Sequence, residues 1–399
     1  MPVTQSLSRI RRLAYDGAVD ADGHVLEPPD LWRRYVERPW RERAIRVRRG
    51  DDGRDVLEID GRPARLTTSE MLGGLGGMGR TLDELAAAAL SGRYAENVPP
   101  AAVDPHARCA LLDREGLSHA VLYPTLGLQW EAEAPDPAYA LAHACAYNRW
   151  IEEFIAGSGG RLVAVAHLSL GDPVAAAAEL RRAVRAGARG GFVLPFTWSG
   201  LPHGHPHHDP VWAAAQELDV PIAIHTGVDP PARDLHRRFD GLTWPEAVPQ
   251  SIWYLQMLFP QAVQQAFSTF FQFATFDRFP RLRVVVLESG AGWLGFWMDR
   301  MDALAAGPLR VTMMLRERPS DYVRRQCWIA ADPDEGTLPA MIAYVGADRF
   351  LWASDFPHAD HAGDYRSELA ERTRGLAADA RRAIEGENAA RLYRLAPPP

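Results

Sequence analysis

The stretch VDADGH, residues 19–24, decides the fold, because it places Asp22 and His24, two side chains that can bind a metal, at the end of a predicted buried strand. Three later stretches have the same form, an apolar run that ends in His, Glu or Asp: VPIAIH at 220–225, RVVVLE at 283–288 and FLWASD at 350–355. A parallel barrel brings the ends of its strands together at one face. We therefore expect these side chains to converge on one metal ion.

Asp22 and His24 are separated by a single residue. Side chains two positions apart on a strand point to the same face. A strand through this stretch would therefore present both side chains to the same cation.

Apolar runs and amphipathic segments alternate along the chain. Candidate strands begin at Val19 and follow at 119–123, 162–167, 191–194, 221–225, 283–288, 327–331 and 350–354. Between them, apolar residues recur at the helical spacing i, i+3, i+4 in 136–156, 173–186, 210–218, 261–278, 293–306 and 337–345. Eight strands are the number that a closed parallel barrel needs. The sequence therefore predicts an α/β fold, a (β/α)8 TIM barrel, with C-terminal helices near 365–376 and 377–393.

Several of the predicted helices start with the dipeptide Asp-Pro, at 136–137, 172–173 and 209–210. An aspartate can cap the first turn of a helix, and a proline fits its first helical position. These starts support the alternation of strands and helices.

Residues 28–105 interrupt this alternation. They contain a predicted hairpin, 45–49 and 56–59, and a glycine run at 73–79. The run has no GK[ST] motif and no preceding strand, so it predicts a mobile loop and not a phosphate-binding loop. We interpret residues 1–399 as a single domain in which 28–105 form an insertion over the catalytic face.

Composition and charge exclude several classes of protein. The net charge of -7 and the lack of a long basic stretch argue against a nucleic-acid partner. The N-terminal residues include no apolar segment typical of a signal peptide, and the sequence has no run of eighteen apolar residues, so we expect neither a signal peptide nor a membrane span. Three widely spaced cysteines match no zinc-finger pattern and indicate reduced thiols in a cytoplasmic protein.

Six strings of the sequence carry a family resemblance. They are DADGHVLEPPDLW at 20–32, GLSHAVLYPT at 116–125, IHTG around His225, VVVLESGAGW at 284–293, LWASDFPH at 351–358 and ENAARLY at 387–393. In this order they resemble the amidohydrolase superfamily. More narrowly they resemble its amidohydrolase-related branch, which includes aminocarboxymuconate semialdehyde, resorcylate and carboxyvanillate decarboxylases.

The resemblance implies roles for particular residues. The strand-one metal motif falls on Asp22 and His24, the strand-five histidine on His225 and the strand-eight aspartate on Asp355. Better-known decarboxylases of this branch have a histidine at the end of strand six, where this chain has Glu288. The resemblance also implies a homodimer. The departure at Glu288 leaves open which residue transfers the proton.

The predicted ligands Asp22, His24, His225, Asp355 and Glu288 form a mixed site of carboxylates and imidazoles. This donor set favours one divalent metal ion, zinc first, with manganese or iron(II) as alternatives. An open position on such an ion lowers the pKa of bound water or polarises a substrate oxygen. Hydrolysis and decarboxylation can both use this chemistry.

Each of these residues also has a plainer structural interpretation. His225 could be a hydrogen-bonded core histidine, Asp355 could cap a turn, and Glu288 could cap the next helix. Their recurrence at several strand ends favours the metal site. The histidine-rich stretch 203–208 is interrupted by glycine and proline and is interpreted as a polar loop.

Further candidates surround the predicted centre. His358 follows Asp355 closely and is a candidate for proton transfer, together with Asp355 and Glu288. Trp198 and Trp293 follow predicted strands and could stack on a planar substrate. Arg237 lies in the loop after His225 and could bind a substrate carboxylate.

The sequence therefore predicts a metal-dependent, non-oxidative decarboxylase that acts on a small aromatic or enolic carboxylic acid. One alternative is a metal-dependent hydrolase of an amide, lactone or related bond, with Asp355 as the proton acceptor. A second alternative is a barrel that has lost catalysis and acts as a binding subunit. The presence of Asp22, His24, His225 and Asp355 argues against that second alternative.

Overall fold

The computed structural model describes residues 10–96, 98–230, 248–359 and 363–397, with side chains from residue 257 onward in the third range. Eight strands, β1 to β8, follow one another in chain order and pair in parallel with their neighbours. They are β1 (Ala18–Val25), β2 (Leu117–Pro124), β3 (Leu162–Ala164 and Ala166–His167), β4 (Gly191–Val193), β5 (Ile222–Ile224), β6 (Val284–Val286), β7 (Cys327–Ala331) and β8 (Phe350–Trp352).

Backbone hydrogen bonds just beyond β8 close the barrel against β1. The amide of Asp355 donates to the carbonyl of Asp22 at 3.1 Å, and the amide of His24 donates to the carbonyl of Phe356 at 2.6 Å. The closure places the chain that follows β8 directly beside the strand that carries Asp22 and His24. The predicted (β/α)8 barrel is confirmed.

Helices connect the strands and cover the barrel. From β2 onward the α-helices are Pro137–Ile155, Pro173–Arg185, Asp209–Leu218, Val248–Gln272, Thr275–Arg278, Trp293–Ala306, Pro319–Gln326, Leu338–Val345, Tyr365–Thr373, Ala378–Arg382 and Asn388–Tyr393. Short 3-10 helices lie at Leu126–Leu128, Trp130–Glu133, Pro206–His208, Pro308–Thr312 and Ala347–Arg349, and a π-helical turn at Ala383–Glu387. None of the described helices is long and apolar enough to cross a membrane.

Two details of the predicted helices were wrong. The helix expected at 261–278 begins at Val248, runs through Pro260 and ends at Gln272, because Ala274 adopts a left-handed backbone with φ of 49°. Asp209 is the first helical residue and not a cap, and its carboxylate instead pairs with Arg278 at 2.8 Å. Asp136 and Asp172 do cap their helices through side-chain hydrogen bonds.

The segment between β1 and β2 folds into a small antiparallel sheet and several helices. The predicted hairpin is present as Arg46–Arg49 paired with Asp55–Ile59, and Arg62–Pro63 adds a third strand. The helices are Leu31–Tyr35, Ser69–Gly74, Leu82–Ser91 and Pro105–Glu115, with 3-10 helices at Arg38–Arg43 and Pro100–Ala102. The glycine run was predicted as a loop, which was wrong for Gly73 and Gly74 because they complete a helix capped by Thr68. The single-domain interpretation with 28–105 as an insertion stays a prediction.

The strands of the barrel are buried, which limits the places where polar side chains can contact a ligand. All eight residues of β2 are buried, as are all residues of β4, β5, β6 and β8. Parallel strands buried on both faces read as continuous apolar runs, which is the pattern of this sequence. The polar side chains therefore collect where the strands end.

Candidate active site

Two histidines at the ends of β1 and β5 point the same ring nitrogen into one buried space. His24 Nδ1 donates to the carbonyl of Pro124 at 2.9 Å, and His225 Nδ1 donates to the carbonyl of Thr226 at 2.9 Å. A carbonyl can only accept, so the proton of each neutral imidazole lies on Nδ1. Nε2 of each ring keeps its lone pair for a ligand, the arrangement found in metal-binding histidines.

Asp22 lies between these two rings. Its Oδ1 atom is 3.5 Å from His24 Nε2 and 3.3 Å from His225 Nε2. Asp355 approaches from β8, with Oδ1 at 3.2 Å from His24 Nε2. Three separate barrel strands thus bring two carboxylates and two imidazoles together in the interior.

Five buried ligand atoms of these residues have no hydrogen-bond partner. They are Asp22 Oδ1 and Oδ2, His24 Nε2, His225 Nε2 and Asp355 Oδ2. Leaving buried polar atoms unpaired costs free energy, and native proteins rarely do so. A divalent cation is the kind of partner that such buried atoms take, and two carboxylates with two imidazoles fit a metal ion of the zinc, manganese or iron(II) class.

Two neighbouring residues complete the cluster. Ligand atoms of His24, Asp355, Glu288 and His358 form one group, and those of Asp22, His24 and His225 form another, so the two groups share His24. The Glu288 carboxylate lies 3.7 Å from His225 Nδ1 and 3.8 Å from His358 Nδ1. The structure therefore brings together all five predicted ligands and His358.

The His358 ring is held at both nitrogens. Nδ1 donates to Asp355 Oδ1 at 2.7 Å, and Nε2 lies 3.0 Å from Thr125 Oγ1. Burial alone would lower the pKa of His358, but Asp355 and Glu288 raise that pKa well above its usual value. The hydrogen bond between Nε2 and Thr125 holds the ring from its other side. Asp355 Oδ1 therefore lies close to both His358 Nδ1 and His24 Nε2, and Oδ2 has no hydrogen-bond partner.

The electrostatics of the cluster are set by its carboxylates. Burial alone would raise the pKa of Asp355, but His358 and His24 hold it well below its usual range. Burial alone would lower the pKa of His225, but Asp22 and Glu288 raise it to about 9. The cluster therefore attracts positive charge, and a metal ion that binds His225 must displace a proton.

A cavity of about 410 Å³ opens beside the cluster. Its wall includes Asp355, Glu288, His358 and Thr125 on one side and Leu75 of the segment between β1 and β2 on another. A cavity of this volume is within the range of small-molecule sites. A substrate in the cavity would lie directly beside the predicted metal ligands.

Three predicted substrate contacts are not among the described residues that line this cavity. Trp198 Nε1 donates to buried Glu131 at 2.9 Å, and Trp293 Nε1 donates to the carbonyl of Gly290 at 2.8 Å. Arg237 lies outside the described residues. Substrate binding by these three residues stays a prediction. His203 lies in the core, with Nε2 at 2.9 Å from the carbonyl of Leu194, so the stretch 203–208 that was interpreted as a polar loop contains a buried histidine.

Sequence reasoning missed two residues at the site, Glu27 and Asp332. Buried Glu27 accepts hydrogen bonds from the amides of Thr125, Leu126 and Gly127, and so fixes the loop that carries Thr125. Asp332 was also missed, although it follows β7 directly and lines the cavity. Its place after an apolar run was a signal that could have identified it.

Comparison with known proteins identifies the family of this chain. A family model described as Amidohydrolase matches residues 19–395. The gamma-resorcylate decarboxylase of Rhizobium sp. (strain MTP-10005) is 28% identical over 304 residues, which cover 72% of this chain and 86% of that protein.

Solved structures share the fold. An amidohydrolase of Mycobacterium avium subsp. paratuberculosis superposes with a TM-score of 0.78 at 23% identity, covering 96% of this chain and all of that one. A dihydroxybenzoic acid decarboxylase of Polaromonas sp. JS666, with bound manganese and an inhibitor, gives a TM-score of 0.61 at 20% identity over 95% of this chain and 97% of its own. Because the family model spans the barrel from β1 to the last helix, the chain belongs to the amidohydrolase family.

Proposed function

We propose that this protein is a metal-dependent, non-oxidative decarboxylase of a small aromatic or enolic carboxylic acid. The observation that carries the proposal is the set of five buried, unpartnered ligand atoms on Asp22, His24, His225 and Asp355 beside a cavity of about 410 Å³. The decarboxylase activity of the Rhizobium relative supports the reaction type.

The metal would be held by Asp22, His24, His225 and Asp355, with Glu288 in contact or close by. One divalent ion supplies a positive charge that polarises a substrate oxygen. Zinc, manganese and iron(II) all accept this donor set, and the manganese in the Polaromonas structure supports manganese as a candidate. Zinc, a homodimer and a cytoplasmic location stay predictions.

Glu288 is the residue we assign to proton transfer. Its carboxylate lines the cavity and belongs to the same cluster as His24, Asp355 and His358. In its protonated form it would donate a proton to the carbon that bears the substrate carboxylate, and the bond from that carbon to the carboxylate would then break to release carbon dioxide. The proton returns to Glu288 from water, so the acid is restored.

His358 and Thr125 have a positioning role in this proposal. The hydrogen bond from His358 to Asp355 Oδ1 fixes the carboxylate beside His24, whose Nε2 lies 3.2 Å from the same oxygen. Thr125 holds the other side of the His358 ring. Fixed ligands keep their geometry without reorganising during the reaction.

A specific observation favours hydrolysis as the second candidate. The cavity wall carries the carboxylates of Glu288, Asp332, Asp334 and Asp355, and none of its described residues is Lys or Arg. This charge disfavours an anionic substrate and suits an uncharged amide, lactone or related compound. In that reaction Asp355 or Glu288 would accept the proton of the attacking water.

Parallel assays separate the two reactions. The metal-supplemented protein is offered gamma-resorcylate and its positional isomers, and a panel of amides and lactones, in deuterated water. Release of carbon dioxide with deuterium at the carbon that lost its carboxylate supports the proposal. Cleavage of amides or lactones alone would show that the enzyme is a hydrolase, and the Glu288→Gln variant should be inactive in either case.

A further inference from the structure

We infer that Asp20, Ser354 and Arg108 form a brace that positions the metal-binding ends of β1 and β8. The inference rests on the proposed metal site. None of the three side chains belongs to the ligand cluster, yet each contacts a residue next to a ligand or the backbone of a ligand. We assign them as positioning residues.

The first contact joins two strands that carry ligands. Asp20 on β1 accepts hydrogen bonds from both donors of Ser354, at 3.0 Å from the backbone amide and 2.7 Å from the hydroxyl. Ser354 directly precedes Asp355, and Asp20 lies two residues before Asp22. Two hydrogen bonds to one carboxylate fix the separation of these strands beside the ligands.

Ser354 extends the contact along the turn after β8. Its hydroxyl oxygen also accepts a hydrogen bond from the amide of Phe356 at 3.0 Å. Both neighbours of Asp355 are therefore tied to Asp20, directly or through the serine hydroxyl. Asp355 has a left-handed backbone, and these bonds hold it in that conformation.

Arg108 reaches the same place from outside the barrel strands. It lies on the helix Pro105–Glu115, and only 1% of its surface is exposed. Its Nη1 donates to the backbone carbonyl of His24 at 2.9 Å, and its Nη2 lies 3.6 Å from Asp20 Oδ2. Its guanidinium packs over the Phe356 ring, 4.6 Å from the ring centre. A fully buried arginine therefore donates a hydrogen bond to the backbone of the predicted metal ligand His24.

Gly23 shows that this packing leaves no spare room. A Cβ atom at this position would lie 2.3 Å from Arg108 Nη2 and 2.5 Å from Asp20 Oδ2. Such distances require the brace to move. Glycine is therefore needed between Asp22 and His24 because the brace occupies the space that a side chain would fill.

The brace should affect metal affinity more than it affects folding. Outer partners that orient metal ligands typically change affinity about 10- to 100-fold when they are removed. The mild variant Ser354→Ala removes one hydroxyl, and Asp20→Asn removes the charge beside Arg108. A matched control is Glu179→Gln, which alters another buried carboxylate that bonds Asn148 Nδ2 at 2.8 Å and pairs with Arg182, on a helix outside the barrel.

The test measures Co²⁺ binding to each folded, metal-stripped protein by competition with a chromophoric chelator, together with the visible spectrum of the Co²⁺ protein and the melting temperature. We expect Ser354→Ala to weaken Co²⁺ binding about tenfold and to change the spectrum, because the ligands lose their alignment. We expect Asp20→Asn to weaken Co²⁺ binding more than Ser354→Ala does. Glu179→Gln should keep the Co²⁺ affinity and the spectrum of the parent even if its melting temperature falls.

The outcomes separate this inference from the proposed function. Unaltered Co²⁺ affinity and spectrum in both folded brace variants would overturn the brace and leave the metal site standing. Equal weakening in Glu179→Gln would also overturn it, because general destabilisation would then explain the loss. Failure of the parent protein to take up Co²⁺ would overturn the metal site and the brace together.

Discussion

Glu288 and Asp355 share a left-handed backbone conformation, with φ of 47° and 52°, although neither is a glycine. Each lies a few residues beyond the end of its strand, β6 or β8. A non-glycine residue in this conformation costs about 1–2 kcal/mol. Strain of this kind persists where the surrounding structure enforces it, often at functional sites. The two residues that we assign to proton transfer and metal binding are thus held in strained positions.

This strain predicts an unusual response to substitution at Glu288. Glycine adopts the left-handed conformation without strain, so Glu288→Gly should leave the metal-stripped protein as stable as the parent, or more stable by up to about 1 kcal/mol. Turnover should be lost in Glu288→Gly and in Glu288→Gln, which keeps the strain. Urea unfolding and a turnover assay check both outcomes. A glycine variant that retains turnover would contradict the role of Glu288.

The hydroxyl of Thr125 should matter for turnover through His358. Thr125→Val keeps the shape of the side chain but removes the partner of His358 Nε2. A lost hydrogen bond of about 1.4 kcal/mol in the reacting state corresponds to a tenfold lower kcat. We expect this decrease with little change in KM, whereas Thr125→Ser should keep the parent kcat. Equal kcat values for the valine and serine variants would argue against the positioning role.

Three buried histidines predict a loss of stability in acid. Burial lowers the pKa of His203 to about 4, and His143 and His208 are lowered to about 4 for the same reason. These folded-state values lie below the unfolded value of about 6.5, so the unfolded chain binds more protons between these limits. The stability that each neutral histidine contributes is therefore complete above about pH 6.5 and is lost as the pH falls toward 4.

The size of this effect can be measured at His203. A shift of this extent corresponds to about 3 kcal/mol at pH 4 for a fully buried group. His203→Gln should therefore show a shallower fall in unfolding free energy between pH 6.5 and 4 than the parent, when both are measured by denaturant unfolding. His207→Gln, at an exposed site on the same loop, is the control and should match the parent slope. If the unfolding free energy of His203→Gln fell with pH as steeply as that of the parent, buried His203 would not be a source of the acid sensitivity.

Much of the barrel could be predicted because its strands are buried apolar runs with clear ends. The predicted strand at 327–331 and the predicted helix at 293–306 match Cys327–Ala331 and Trp293–Ala306 in the structure. The candidate ligands His225, Glu288 and Asp355 could be predicted for the same reason, since each follows such a run, whereas Asp22 and His24 lie within β1. The helix Val248–Gln272 was predicted to start only at residue 261, so its first half, which includes Pro260, was missed.

Contacts between distant residues could not be predicted from a single sequence. Arg108 and the carbonyl of His24 are 84 positions apart, and no local pattern links them. The orientation of Trp198 toward Glu131 depends on how the loops after β2 and β4 meet. The left-handed backbone of Glu288 could not be predicted either, because glycine is the residue that usually adopts this conformation and the residue here is a glutamate.

The measurement that tests the account most directly is the metal content of the purified protein. The central claim is that Asp22, His24, His225 and Asp355 hold one divalent ion. Elemental analysis after incubation with Mn²⁺ or Zn²⁺ and removal of excess metal should find one equivalent in the parent protein. The His225→Ala and Asp355→Ala proteins should lose that metal while circular dichroism shows that they remain folded. A parent protein without bound metal, or full retention in both folded variants, would contradict the claim.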